Sequence, residues 1–215
     1  MTIHVVQAGE TVGSIAESYG VSPARLAADN AVPPSGALAV GQTLVVRFPR
    51  QVHAVRRGET LASIAEAYGT TVRRLWQNNW PLGGQTDLRP GENLVISYFD
   101  EPLDSAVFNG YAYPFIDSSL LDAELPFLTC LTPFTYGITA DGDLLQLEDD
   151  ALLSAARQRG TLPVMHLSTL TEEGGFSNEL AHLALTQPAV QDTLVDNLEA
   201  MLVQKGYRGL DVDFE

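Results

Sequence analysis

The sequence predicts two small α+β domains followed by an α/β segment, and three observations carry that division. The first hundred residues repeat themselves, short apolar runs alternate with helical stretches from Ser105 onward, and the charge balance changes between the two parts. Residues 1–100 hold eight Arg against eight Asp or Glu, whereas residues 101–215 hold four basic and nineteen acidic side chains and so carry the whole formal charge of −15. The boundary falls near Asp100-Glu101-Pro102.

Shifting the chain by 49 positions lays His4–Asn30 over His53–Asn79 with 14 identities in 27, the mark of a tandem duplication. Each copy opens with a short apolar strand, His4-Val5-Val6 or His53-Ala54-Val55. Thr11 then caps a helix in which Val12, Ile15, Ala16 and Tyr19 recur at helical spacing, and Gly20 suits the left-handed residue that ends it. Ser22-Pro23 opens a second helix as a cap followed by proline at the first helical position. Leu44-Val45-Val46 closes the unit as a second strand, and Arg47-Phe48-Pro49-Arg50 reads as the linker between copies. Strand, helix, helix, strand in about 45 residues is just enough to bury one core.

This βααβ pattern resembles the lysin-motif domain, a peptidoglycan- and chitin-binding module, at residues 2–47 and 51–97. The resemblance implies a glycan groove between the loop after the first strand and the loop before the last. That places Gly9, Glu10 and Thr11 in one copy and Gly58, Glu59 and Thr60 in the other, with the segments before Gly41 and Gly91. Trp76 and Trp80 are candidates for stacking on a sugar ring or for core and lid positions. His4 and His53 read as structural strand residues.

The second half supplies four candidate strands, at residues 106–113, 128–136, 162–168 and 209–215. Between them, residues 151–159 place Leu152, Leu153 and Ala156 on one helix face before Gly160. Residues 188–205 do the same with Val190, Leu194, Val195, Leu198, Met201 and Leu202 before Gly206. Such alternation predicts a parallel sheet and leaves a doubly wound sheet and a barrel both open. No Gly-rich phosphate loop follows the first strand, which lowers the nucleotide-binding option.

The last strand is the unusual one. In Gly209–Glu215 the residues Leu210, Val212 and Phe214 share one face while Asp211, Asp213 and Glu215 share the other. Three like charges in a row repel. A solvated acidic edge explains them, as does a hard-cation site, although the Gly turn of a loop site is missing. Catalysis is the third explanation. Close carboxylates push one pKa upward, so that one group keeps a proton for a leaving group near neutral pH, as glycosidic cleavage requires.

The same run resembles the Asp-x-x-Asp-x-Asp-x-Glu signature on the fourth barrel strand of glycoside hydrolase family 18, with Arg208 where the signature begins with Asp. Asn109-Gly110-Tyr111, Leu131-Thr132-Pro133-Phe134-Thr135-Tyr136, the run from Glu173 to His182, and Lys205-Gly206-Tyr207 look like the spore-germination branch of that family. Several members of that branch carry two N-terminal lysin motifs. The resemblance implies α/β architecture over residues 103–215, the first half of a (β/α)8 TIM barrel. It implies Glu215 as general acid and base, Asp213 orienting the substrate's own N-acetyl group as nucleophile, and Asp211 supporting Asp213, a substrate-assisted route without a protein nucleophile. Tyr111, Asn109 and Tyr136, near the same rim, are candidate substrate-binding residues, with core packing the alternative for the tyrosines. His166 reads as an interior histidine, His182 as a helix-surface residue, and Glu172 and Glu173 as solvent-facing.

The implied partner is a peptidoglycan or chitin-type glycan, with no metal, cofactor or obligate protein partner. An acidic second half argues against nucleic acid and anionic membrane, which need clustered Lys and Arg. Cys130 stands alone, so no intrachain disulfide is expected and the residue reads as a small buried hydrophobe. No run approaches the roughly 18 apolar residues of a membrane helix. Met1-Thr2-Ile3-His4 enters patterned sequence without a basic-then-apolar leader. The expectation is a soluble chain associated with spore coat, cortex or cell wall. Four strands are half of a closed barrel, so a hydrolase is expected of the full-length parent and little or no hydrolysis of the 215 residues alone. The rivals are a non-catalytic glycan-binding protein and a coat or scaffold protein.

Overall fold

In the computed structural model, which describes residues 1–99 and 105–214, the chain divides into two units, Met1–Ser105 and Ala106–Glu215. The expected boundary at Asp100-Glu101-Pro102 and the residue Glu215 lie outside the described residues.

The first unit holds β1 (Thr2–Val5), α1 (Val12–Tyr19), α2 (Pro23–Asp29) and β2 (Thr43–Val46), then β3 (Pro49–Ala54), α3 (Leu61–Ala67), α4 (Val72–Asn78) and β4 (Asn93–Tyr98). β1 pairs antiparallel with β2, and β3 with β4. Local chemistry explains the helices. The Thr11 hydroxyl accepts from the Ser14 amide while the Ser14 side chain accepts from the Thr11 amide, and Thr60 and Ser63 repeat this reciprocal cap. Gly20 ends α1 at φ 67°, where a Cβ would be strained. Each helix pair turns its apolar stripe onto its own strands. Val6, Ile15, Leu26, Leu44 and Val46 form one core, and Val55, Ile64, Leu75, Trp76, Leu94 and Ile96 the other. Each such aliphatic side chain contributes about 1.5–3 kcal/mol by leaving water.

Arg47–Arg50 is not a free linker. Pro49 and Arg50 already belong to β3, Phe48 packs on the first core, and the Arg47 guanidinium lies 3.5 Å from the centre of the Tyr98 ring. Arg25 of α2 donates to the Asn78 carbonyl at 2.5 Å, to Asn79 Oδ1 at 3.1 Å and to the Tyr98 hydroxyl. The two repeats are thereby packed side by side, an arrangement that the composition of a four-residue segment does not encode.

The second unit runs β5 (Asn109–Ala112), α5 (Ser118–Glu124), β6 (Cys130–Pro133), a hairpin of β7 (Gly137–Ile138) and β8 (Leu144–Leu145), α6 (Asp150–Arg159), β9 (Leu162–Pro163), β10 (Met165–Ser168), α7 (Asn178–Thr186), α8 (Pro188–Lys205) and β11 (Leu210–Asp213). β5, β6 and β9 are parallel in that order, and β10, which continues β9 past Val164, is parallel to β11. A bridge from Tyr136 to Leu167 continues the alignment of the second strand with the third. Each strand therefore lies beside its chain neighbour, with no reversal of order among the described residues, unlike a doubly wound sheet. The described residues form no closed barrel.

The period-two alternation sorts this sheet into two faces. Met165 and Leu167 pack with Ala184 of α7 and Leu194, Leu198 and Met201 of α8, while Ala112 and Leu131 pack with Leu121, Leu152 and Ala156 of α5 and α6. The alternate residues Asn109, Tyr111, Thr132, His166, Ser168, Asp211 and Asp213 occupy the opposite face. Cys130 is half-buried rather than buried as expected, since it lies near the N-terminal margin of that second face. The β7–β8 hairpin and helices α5 and α7 go beyond the elements expected from periodicity. Strands of two residues carry no readable period.

Candidate active site

A cavity of about 460 Å³ lies at the second face, lined by Tyr111, Ala112, Tyr113, Phe134, His166, Asp211, Val212 and Asp213. It gathers residues from the C-terminal part of β5, from just beyond β6, from β10 and from β11, the end of a parallel sheet where sites are commonly built. Asp211 is half-buried and Asp213 exposed. Tyr111 Oη donates to Asp211 Oδ2 at 2.6 Å, and that bond, reinforced by burial and by the carboxylate charges, raises the phenol's pKa.

His166, 2% exposed, is the register partner of Asp211 across β10 and β11. Its Nε2 lies 3.9 Å from Asp211 Oδ2 and 3.9 Å from Asp213 Oδ2. Its Nδ1 lies 2.6 Å from Thr135 Oγ1. Burial pushes the imidazole pKa below its usual value, and the two carboxylates pull against that shift.

An aromatic row borders the carboxylates. Tyr113 stacks on Phe115 with centroids 5.0 Å apart and meets Phe134 edge-on at 5.2 Å, while Phe176 meets Phe134 at 6.4 Å. Tyr113, Phe115 and Phe176 are exposed, an uncommon state for three neighbouring aromatic rings and one that suits the apolar face of a sugar. Sequence reading missed these three; the spacing Tyr111-x-Tyr113-x-Phe115 was a signal for the first two, and none pointed to Phe176.

Of the expected site residues, the structure brings Asp211, Asp213 and Tyr111 together. Asn109 lies two positions before Tyr111 on the same face, its Oδ1 accepting from Thr132 Oγ1 at 2.8 Å, and does not line the cavity. Tyr136 is corrected. It is fully buried in the core against α8 and donates to Asp149 Oδ2 at 2.6 Å. Burial, together with that bond, pushes its pKa up to about 12. Tyr207 also donates to Asp149, and Lys205 Nζ lies 2.5 Å from it, so the position serves a closed polar cluster with no access for substrate. Glu215 lies outside the described residues. His182 is exposed on α7, and Glu172 and Glu173 are exposed. Among the described residues, no group of three His, Cys, Asp or Glu side chains is placed to hold a metal ion. No described helix is long and apolar enough to cross a membrane.

In the repeats, most of the expected glycan-binding side chains are engaged in shaping their own loops. Glu10 Oε2 accepts from the Gln7 amide at 2.7 Å and contacts His4 Nε2 at 2.8 Å, and His4 Nδ1 lies 3.2 Å from the Tyr19 hydroxyl. Glu59, Arg56, His53 and Tyr68 repeat the arrangement. Thr11 and Thr60 are helix caps. Gly9 and Gly58, at φ 84° and 85°, turn the loops. Trp76 is a core residue whose Nε1 donates to the Gln85 carbonyl, whereas Trp80 is exposed.

Residues 4–47 and 53–97 match the LysM domain family. The two repeats are LysM domains. Beyond them, the whole chain is similar to longer proteins, cortical fragment-lytic and spore cortex-lytic enzymes of Bacillus species. It is 31% identical over 217 residues to the cortical fragment-lytic enzyme of Bacillus anthracis, covering 99% of this chain and 50% of that protein. The spore cortex-lytic enzyme SleL of Bacillus cereus superposes with a TM-score of 0.67 at 29% identity, covering 100% of this chain and 51% of that one. SleL of Bacillus megaterium superposes with a TM-score of 0.69 at 25% identity, covering 99% and 50%. The chain thus spans about half the length of the relatives that it matches.

Proposed function

We propose that the LysM domains hold the chain on N-acetylglucosamine-containing glycan, and that the second unit carries the β11 carboxylates of a glycoside hydrolase cleaving β-1,4 bonds of spore cortex peptidoglycan. The observation that carries this reading is the pairing of Asp211 and Asp213 in one cavity beside an exposed aromatic row. Glu215 follows at the next period-two position in sequence. Similarity to Bacillus cortex-lytic enzymes supports the substrate class and an association with cortex or cell wall.

In this reading the sugar's acetamido carbonyl attacks the anomeric carbon while Glu215 donates a proton to the departing glycosidic oxygen. Asp213 accepts a hydrogen bond from the acetamido N–H and balances the positive charge that develops on the ring so formed. Glu215 then takes a proton from water, which opens the ring with net retention. Asp211, held by Tyr111, keeps Asp213 oriented.

The experiment is hydrolysis of purified cortex fragments by the protein extended to the length of its relatives, with Glu215→Gln beside it. Glu215→Gln is expected to lower kcat by about 10²–10⁴-fold while sedimentation with insoluble peptidoglycan is unchanged. Equal turnover by both proteins would overturn the assignment, and glycan binding without turnover in either would favour a binding protein.

A further inference from the structure

We propose that His166 is a positioning residue for the acidic pair, presenting one Nε2–H to Asp211 and Asp213 together, and that its protonation sets the acid limit of the site. This rests on the reading of Asp211 and Asp213 as the site's working carboxylates.

The ring has little freedom. Phe134 lies at 4.9 Å with an interplanar angle of 31°, and Tyr111 meets the ring edge-on at 5.5 Å. Nε2 is equidistant from the two carboxylates at 3.9 Å, too long for a direct hydrogen bond, so the neutral ring faces both with its N–H dipole and makes a shared ionic contact once protonated. The two acids decide the tautomer, because a bare Nε2 lone pair would face both carboxylates, and Thr135 at the other end of the ring fits either state. Its hydroxyl lies closest to Nδ1, at 2.6 Å, against 3.1 Å for the Tyr136 carbonyl and for Ser168 Oγ. A hydroxyl donates once and accepts twice. When the ring is neutral its proton sits on Nε2, facing the acids, and Thr135 donates to Nδ1. When the ring is charged, Nδ1–H donates to Thr135, whose own proton turns to the Tyr136 carbonyl. Both states are satisfied without moving the ring.

Among the described residues, the titratable groups facing His166 are Asp211 and Asp213 of β11 and Tyr111 of β5; Thr135, Ser168 and Phe134 are neutral. At neutral pH the uncharged ring leaves the exposed Asp213 free to turn to a sugar. An imidazolium draws Asp213 back to the sheet, so activity is lost as the ring takes up a proton.

The test is a nitrogen- and proton-detected NMR titration of the 215-residue chain, with the His166 signals assigned by their absence in His166→Gln. The expected result is an Nε2–H tautomer, with a midpoint that falls by about one pH unit in Asp211→Asn and in Asp213→Asn. An Nδ1–H tautomer, or a midpoint unmoved by both variants, would overturn the proposal. This readout needs no catalysis. Absence of hydrolysis in the longer protein counts against the proposed function, and the tautomer and midpoints decide the role of His166.

Discussion

Tyr111 donates to Asp211 across 2.6 Å and one hundred positions of sequence, joining β5 to β11. These strands are the two ends of the described order, with β6 and the β9–β10 strand between them. In a flat sheet three strand spacings would separate them by about 14 Å, beyond the combined reach of the two side chains. The sheet is therefore curved towards this face, and the hydrogen bond ties the curvature to the site. Tyr111→Phe is expected to lower kcat/KM of the extended protein about tenfold, with glycan sedimentation unchanged, because the bond to a charged but partly exposed acceptor is of order 1–2 kcal/mol.

The LysM glutamates make the stability of the first unit pH-dependent. Glu10 and Glu59 are held below the ordinary glutamate value, first by the Gln7 and Arg56 amides and then by His4 and His53. A depressed folded pKa gives stability that is present above the unfolded value and lost as pH falls through the folded one. The urea midpoint should therefore decline as pH drops below about 4.5. The double variant Glu10→Gln, Glu59→Gln should show a shallower decline. Fluorescence reads this directly, since both tryptophans, Trp76 and Trp80, lie in the first unit.

Asp149 is the polar anchor of the second unit. It is fully buried and takes bonds from Tyr136, Tyr207 and Lys205. Asp149→Ala removes the acceptor shared by two buried phenols and leaves Lys205 only the exposed Asp150, and is expected to cost about 3–5 kcal/mol. Urea unfolding followed by near-ultraviolet circular dichroism of the tyrosines measures it. A loss below about 1 kcal/mol would mean that the cluster is solvated.

Asn79 clamps the end of α4 to β4. Its Nδ2 donates to the Leu75 and Val95 carbonyls at 2.9 Å, and its Oδ1 accepts from the Val95 amide at 2.8 Å. Asn30 does the same for Leu26 and Val45. Asn79→Ala leaves buried groups unpaired and should cost about 1–3 kcal/mol, seen as a lower urea midpoint in tryptophan fluorescence.

The sequence by itself determined whatever depends on residues within a turn or a strand of one another. The duplication, the Thr11 and Ser22 caps and the Gly20 stop reappear where they were expected, and Leu210–Asp213 forms a strand, but its apolar residues Leu210 and Val212 are exposed rather than buried. The tertiary structure alone decided exposure and partnership. Tyr111 and Tyr136 read alike in sequence, yet one faces the cavity while the other is sealed against Asp149 and Tyr207. Glu10 looked free for a glycan until the fold set His4 beside it. His166 acquired its position between two acids only when β11 came to lie along β10. Periodicity and capping are local sterics, whereas burial and charge pairing depend on which distant segments the chain brings together.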